Sequence, residues 1–454
     1  MASSGPSGPP RICLLTTAHH TTDSRIVHRE AVSLAEAGYD VTYYTPFLDD
    51  CPVDTVPYAD EPPGSIPQIP DRLRFVGRLA SILLDSDYDV YHVHTVEALP
   101  AAVLVGAVTD GKVVYDVHEN VEGVLSSKDI FPEPVRPYAA KAASVVERGL
   151  ARFADGIVPA APDLVDRFQH HEEVTVVTNY PWRTMAEETD LEGRTPDANA
   201  DGGVDGEANA DENRDRDAVD GDRNAVDRDG VQFVYCGLLA EYRGILTLIE
   251  AVDRIPDEYD VSLVLGGEYA SPEIRDRIRR RAGESDRIEL AGWLPTFADV
   301  IDLFRESDVG LMYFHPEPNK TEAVHRSNKL FQYMATGLPV IVSDVGEWSR
   351  FVEDVGFGIP VEPERPDLMA GVMADLADDP DLRAELGRAG HEAALDQYNW
   401  ETQREQLLGL YDRLLDREPP SHGLSDDAIP GDTPDDASAE ETSSEKTPPP
   451  GHGS

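Results

Sequence analysis

Short apolar runs and longer amphipathic stretches alternate along most of this chain. Residues 11–16 (RICLLT), 41–45 (VTYYT), 89–93 (DVYHV), 112–117 (KVVYDV), 156–159 (GIVP) and 174–177 (VTVV) have the length and the branched or aromatic content of buried strands. Between them, residues 25–37, 97–108 and 136–153 read as helices, and Gly38 lies just past the end of the first. A second series follows: strands at 231–235, 261–265, 287–290, 309–313 and 339–342, with helices at 245–254, 273–282, 297–307 and 328–336. Further helices are expected within 366–397 and at 400–415. Strands that alternate with helices imply parallel sheets covered on both faces. The expected fold class is α/β, with two facing doubly wound Rossmann-like domains. Ligands of such sheets bind beyond the carboxyl ends of the strands, so the site is expected in the cleft between the domains.

The breaks in the pattern set the expected domains. Residues 1–10 form a flexible lead-in and 11–184 the first domain. Residues 185–230 have no apolar period and loosely repeat units such as DANADGG and EANADEN. They are expected to be a disordered acidic insert, unable to bury a core. Residues 231–400 form the second domain, 401–416 a C-terminal helix, and 417–454 a disordered acidic tail.

Charge changes the picture of the surroundings. The 454 residues carry 87 acidic and 39 basic side chains, a net −48. Insert and tail account for −11 and −7, leaving about −30 on the rest. Such a charge repels itself in dilute salt, whereas molar salt cuts the screening length to about 3 Å. The composition is read as that of a halophile; the other reading is an ordinary acidic protein. Nucleic acid is not an expected partner, because phosphate backbones call for a basic face. Cys13, Cys51 and Cys236 form no CxxC pair, which argues against a disulfide framework or a zinc site. The apolar stretch 98–108 is too short to span a bilayer, and no signal-peptide pattern opens the chain. A cytoplasmic protein is expected.

Two segments carry candidate chemistry. At the first, a buried strand runs into Gly237, and a loop then brings Arg243 and Gly244 to a helix start. Glycine admits close backbone approach, a helix N-terminus offers free N–H groups to an anion, and the guanidinium fork suits phosphate. The plain alternative is a βα turn with a surface arginine. At the second, Ser327-Asn-Lys-Leu-Phe-Gln-Tyr-Met-Ala-Thr-Gly-Leu-Pro-Val-Ile-Val-Ser-Asp reads as helix, glycine turn and buried strand. Lys329, one of only six lysines, falls in the first turn of that helix, where a cation opposes the helix dipole unless an anion offsets it. No GxGxxG follows the first strand, which argues against a Rossmann dehydrogenase.

With these residues in view, the chain resembles the family 4 (group 1) glycosyltransferases, which have the GT-B fold. The resemblance rests on the Asn328 to Val340 segment and on His19-His-Thr-Thr-Asp-Ser-Arg-Ile-Val-His-Arg-Glu. It also rests on Asp89-Val-Tyr-His-Val-His, Val114-Tyr-Asp-Val-His-Glu and Asn179-Tyr-Pro, and covers residues 11–184 and 231–415. It implies retaining transfer of a sugar from a nucleotide-sugar donor, with no cofactor and no bound metal. The acceptor would be a glycan or a lipid-linked molecule.

Carried over by position, Gly237, Arg243, Gly244, Asn328, Lys329 and Gln332 would bind the donor. Arg243 and Lys329 would neutralise the leaving diphosphate. His118 would face the transferred sugar, with Glu119 orienting it, and Thr17 and His19 would lie on the first loop. The sequence departs from the family where a ribose-binding glutamate is usual: Gln332 stands there, and Val324 stands at an earlier glutamate position. The loop 315–326 is then expected to supply further donor contacts. The 136–153 helix carries Arg136, Lys141, Arg148 and Arg152 beside Val145, Val146, Leu150 and Phe153. The resemblance makes it a candidate for peripheral membrane contact; the plain alternative is an ordinary amphipathic helix. Other readings are a catalytically degenerate sugar-nucleotide binder and a sugar-nucleotide 2-epimerase of the same fold.

Overall fold

Twelve parallel strands form two six-stranded sheets in the computed structural model, which describes residues 8–47, 51–58, 69–127, 131–191, 230–316 and 323–417. The expected tail and most of the expected insert lie outside the described residues. The first sheet comprises β1 (Arg11–Leu15), β2 (Asp40–Thr45), β3 (Asp54–Pro57), β4 (Val90–Val93), β5 (Lys112–Val117) and β6 (Gly156–Pro159), in the order β3-β2-β1-β4-β5-β6. The second comprises β7 (Val231–Cys236), β8 (Val261–Gly266), β9 (Ile288–Gly292), β10 (Val309–Met312), β11 (Val340–Ser343) and β12 (Gly358–Val361), in the order β12-β11-β10-β7-β8-β9. Strand order reverses between β1 and β4 and again between β7 and β10. The loops after those strands diverge there and leave a crevice.

The central strands are buried on both faces, which is why they read as near-continuous apolar runs. Helices α1 (Val32–Glu36), α2 (Ile69–Leu83), α3 (Leu99–Thr109), α4 (Val121–Ser127) and α5 (Arg136–Ala151) belong to the first half. α6 (Arg183–Glu187) follows the crossover. α7 (Ile245–Arg254), α8 (Pro272–Ala282), α9 (Phe297–Arg305), α10 (Asn328–Ala335), α11 (Gly346–Val355), α12 (Pro366–Asp378) and α13 (Pro380–Asp396) belong to the second, and α14 (Trp400–Leu414) ends the described chain.

Several expectations need correction. The 25–37 helix opens with a π-helical turn, Ile26–Ala31, and only then becomes α1. Arg25, Arg29 and Glu30 are all buried there. Residues 174–177 form no strand; Val174 makes one bridge to Ile157. Missed from the sequence were β3, α2, α4, α11 and β12. β3 is a four-residue edge strand of mixed burial, and β12 contains both Gly358 and Pro360, so neither shows a clear apolar run. The insert was expected from residue 185, but Met185 and Ala186 are buried in α6 and join the second domain's core.

α14 does not stand alone. Trp400, Leu407, Leu410 and Tyr411 pack with Ile12, Leu14, Val114 and Val158 in the first domain's core. Trp400 Nε1 donates to Ser33 Oγ at 2.9 Å and Trp400 N to Pro181 O at 2.7 Å. The chain therefore crosses between domains twice, near 180 and near 398, and the second crossing completes the first core.

Candidate functional site

A cleft of about 1250 Å³ opens at the carboxyl ends of both sheets. On its second-domain side, Gly237 follows β7 with φ +146°, and a Cβ there would lie 2.8 Å from Lys329 Nζ. Only glycine leaves room for that ammonium. Ser327 caps α10, its Oγ accepting from Leu330 N at 3.2 Å, which sets Lys329 in the first turn. Lys329 Nζ sits 3.6 Å from the centroid of the Tyr235 ring. That cation–π contact replaces little of the lost hydration. Burial, and then the charge of Arg243, brings the ammonium down to about 7.

Arg243 ends the short turn Glu241–Arg243 and lies 5.2 Å from the Tyr242 ring centroid. Its Nε is buried with no hydrogen-bond partner. Among the described residues no carboxylate pairs with Arg243 or Lys329, although the chain has more than two acids per base. Two adjacent cations left unpaired in a crevice form a receptor for a polyanion.

The first-domain side presents imidazoles. Thr16 Oγ1 accepts from the backbone N–H of Ala18 and of His19, both at 3.2 Å, so its own proton goes to His19 Nδ1 at 2.6 Å. His19 therefore carries its proton on Nε2, and burial lowers its pKa to about 4. The His118 ring centre lies 5.0 Å from that of His19. Its Nε2 faces His94 Nδ1 at 3.4 Å and Asp116 Oδ1 at 3.6 Å. Burial, outweighing the Asp116 charge, takes its pKa to about 3, so the ring is neutral at physiological pH.

Of the residues singled out in the sequence, His19, His118, Glu119, Gly237, Arg243, Asn328 and Lys329 line the cleft. Three expected contacts do not. Thr17 is buried and donates to Glu97 Oε1 at 2.6 Å, which itself lines the cleft and pairs with Arg72. Gly244 caps α7 in the left-handed region, φ +64°, where a Cβ would meet the Tyr313 ring at 2.5 Å. Gln332 lies one turn beyond Lys329 on α10 and is not among the lining residues. Of the 315–326 loop, Ala323 and Arg326 line the cleft, and Arg326 reaches Asp163 of the first domain at 3.0 Å. Residues 317–322, with Glu317 and Glu322, lie outside the described residues.

Sequence reasoning missed one half of the wall. Leu73 of α2, Val121, Val124 and Leu125 of α4, and Ala143, Val146 and Leu150 of α5 give the first-domain side an apolar floor. α2 and α4 had not been recognised as helices, so their inward faces could not be read. α5 has an exposed face as well: Tyr138, Val145, Val146 and Phe153 are 55–76% exposed beside Lys141, Arg148 and Arg152.

Two facing doubly wound sheets with a polar crevice at their switch points define the GT-B class. The chain superposes on a sucrose-phosphate synthase from Thermosynechococcus elongatus with a TM-score of 0.63 at 17% identity, covering 90% of this chain and 100% of the other. It superposes on Anabaena HepE, solved in complex with UDP, with a TM-score of 0.60 at 15% identity, covering 89% and 100%. Residues 24–179 match the model of glycosyltransferase family 4, and residues 230–379 that of group 1 glycosyl transferases. The two halves of the chain thus carry glycosyltransferase domains of family 4 and of group 1. The chain is 25% identical to the phosphatidyl-myo-inositol mannosyltransferase of Mycobacterium tuberculosis over 340 residues, 73% of this chain and 75% of the relative. It is 30% identical to a lipopolysaccharide core biosynthesis glycosyltransferase, LpsE of Rhizobium meliloti, over 204 residues. That match spans 44% of this chain and about half, 54%, of LpsE.

Proposed function

We propose that this protein transfers a sugar, with retention of anomeric configuration and without a metal ion, from a nucleotide-sugar donor to a glycan or lipid-linked acceptor. The observation that carries the reading is the unpaired pair Arg243 and Lys329 on the donor side of the cleft, facing His118 on the other. A leaving nucleoside diphosphate develops negative charge as the glycosidic bond breaks. Two fixed cations with no carboxylate of their own stabilise that charge where it forms. Lys329, held near neutrality by burial, regains its full charge when the diphosphate arrives. His118, uncharged, accepts or donates a hydrogen bond to a sugar hydroxyl without repelling the oxocarbenium-like centre.

The apolar floor favours a lipid-linked acceptor over a free sugar. Val146 belongs both to the cleft wall and to the exposed face of α5, so the floor is continuous with an apolar, basic-edged surface. We place that face against the cytoplasmic side of a membrane.

The test is a donor screen in molar KCl. UDP-, GDP-, dTDP- and CMP-sugars are incubated with the protein while thermal stabilisation and slow donor hydrolysis are followed. Stabilisation together with hydrolysis by one donor supports a transferase. Stabilisation with no hydrolysis or transfer to any lipid-phosphate or sugar acceptor overturns it in favour of a non-catalytic binder.

A further inference from the structure

Beside His118 lies a buried polar cluster that reaches the cleft through His94 and Asp116. Glu30, His92, His94 and Asp116 each bring one nitrogen or oxygen to within 4.8 Å of the others. The pattern arises simply. His92 and His94 are two residues apart on and just after β4, so they share a face of the sheet. Asp116 sits on the neighbouring strand, on that face, and the π-helical turn lays Glu30 over it. The cation of this cluster is already supplied by the chain. Arg25 Nε and Nη2 each donate to Asp116 at 3.0 Å, and Nε lies 3.1 Å from Glu30 Oε1.

Count the donors around Asp116. An ionised carboxylate only accepts, at about four lone-pair positions. Arg25 takes two of them. His94 Nδ1 stands 3.3 Å from Oδ2, and His118 Nε2 stands 3.6 Å from Oδ1. The two nitrogens stand 3.4 Å apart, and an ionised Asp116 favours an N–H on each one that faces it, with His94 Nδ1, the nearer, as the direct donor. Glu30 is in a poorer position: both its oxygens are buried, and Arg25 Nε, 3.1 Å from Oε1 but already donating to Asp116, makes no well-directed hydrogen bond to it. Burial first, and then the Asp116 charge, raises its pKa well above the usual carboxylate range. A protonated Glu30 leaves the Arg25 guanidinium to Asp116.

We propose that Asp116 is the positioning residue for His118. It fixes the ring as the Nε2–H tautomer and leaves Nδ1 as the free acceptor for a hydroxyl of the transferred sugar. Glu30 stays a neutral acid, which commits Arg25 to Asp116. This rests on the reading of His118 as facing that sugar, yet two of its tests need no turnover. The groups facing Glu30 are Asp23 and Arg25 just before the turn, Arg29 within it, His92 and His94 at the end of β4, Asp116 from β5 and Tyr411 from α14. Tyr411 Oη is 2.9 Å from His92 Nδ1, so the C-terminal helix closes the outer end.

Nitrogen NMR on histidine-labelled wild-type protein reads the tautomer directly. We expect a neutral His118 protonated on Nε2 across pH 5–8, assigned with His118→Gln. A proton on Nδ1, or an imidazolium, overturns the proposal. Glu30→Gln, the neutral isostere, tests the second part. Glu30 has its folded pKa raised, first by burial and then by Asp116, so it is protonated when folded and ionised when unfolded above about pH 4. The wild type therefore loses stability as pH rises past that point, and the Gln variant does not. We expect the Gln variant to melt higher than wild type at pH 8 and at the same temperature near pH 4. A lower melting temperature at pH 8 would mean that Glu30 is ionised on Arg25 and would sink the idea. Asp116→Asn should lower kcat by about 10-fold or more with the donor KM little changed, and should give a mixed His118 tautomer. An equal rise in KM with an unchanged tautomer reduces Asp116 to a structural residue. One tightly held zinc ion per chain, lost in Glu30→Gln, would show that the cluster is a metal site and would also overturn the proposal.

Discussion

Lys329 Nζ lies 3.6 Å from the centre of the Tyr235 ring and against the bare backbone of Gly237. The ring at the end of β7 and the ammonium at the start of α10 hold each other in a crevice where, among the described residues, no carboxylate pairs with the ammonium. Lys329 is thereby poised between charged and neutral, and an anionic ligand decides which.

That poise sets a pH dependence. Lys329 titrates at about 7 in the free protein. A bound diphosphate stabilises the ammonium and raises its pKa, so binding above pH 7 takes up a proton. The affinity for a nucleoside diphosphate should be flat below about pH 6 and fall by up to about tenfold per unit above 7. Calorimetry in two buffers of different ionisation heat measures the uptake. Lys329→Arg should remove both the slope and the uptake; a slope that persists in that variant assigns the titration elsewhere.

Truncation of either cation should cost transfer and leave the fold. Arg243→Ala and Lys329→Ala are each expected to lower kcat by about 10²–10³-fold, the usual loss for one fixed charge-stabilising group. Neither side chain has a carboxylate partner among the described residues, so melting temperatures should stay close to wild type. Full activity in both variants would refute the site assignment.

Gly237→Ala is a sharper probe of shape. Its Cβ would press on Lys329 Nζ at 2.8 Å, and φ +146° already disfavours a side chain. Donor affinity should fall at least as far as in Lys329→Arg, read as the loss of ligand-induced thermal shift. Undiminished affinity would mean that Lys329 binds the donor from another rotamer.

A fourth expectation concerns α14. Trp400 is fully buried, and its indole N–H holds Ser33 Oγ. Trp400→Ala should destabilise the protein by about 3–5 kcal/mol. The loss should appear in the first domain, with exchange of the β1 and β5 amides accelerated more than that of β7 and β10. Confinement to the second domain would contradict the packing described.

Local chemistry was legible from sequence, and long-range chemistry was not. Asn328 and Lys329 stand beside their own helix start, and Gly237 beside its own strand, so neighbouring residues announced them. His118 came from the family resemblance, carried over by position. The group that orients it was not legible: Arg25, Glu30, His94, Asp116 and Tyr411 meet only when β1, β4, β5 and α14 are stacked, and no spacing in the chain predicts that. For Gln332 the sequence sets its place in the helix, while what α10 presents to the cleft depends on how that helix packs against β10 and α13. Part of the apolar floor escaped because α4 is barely two turns long, too short to show a helical period.

The return of α14 has a consequence for how the chain is made. Synthesis runs from the N-terminal side, so β1 to β6 emerge long before Trp400, Leu407 and Tyr411 exist to cover them. The second domain, continuous from 230 to about 396, has all its strands first. The half of the molecule translated earliest is thus finished last. Until α14 arrives, its helix-facing surface, with the Ile12, Leu14 and Val158 side chains and the Glu30 cluster beneath, is uncovered and open to water or a chaperone.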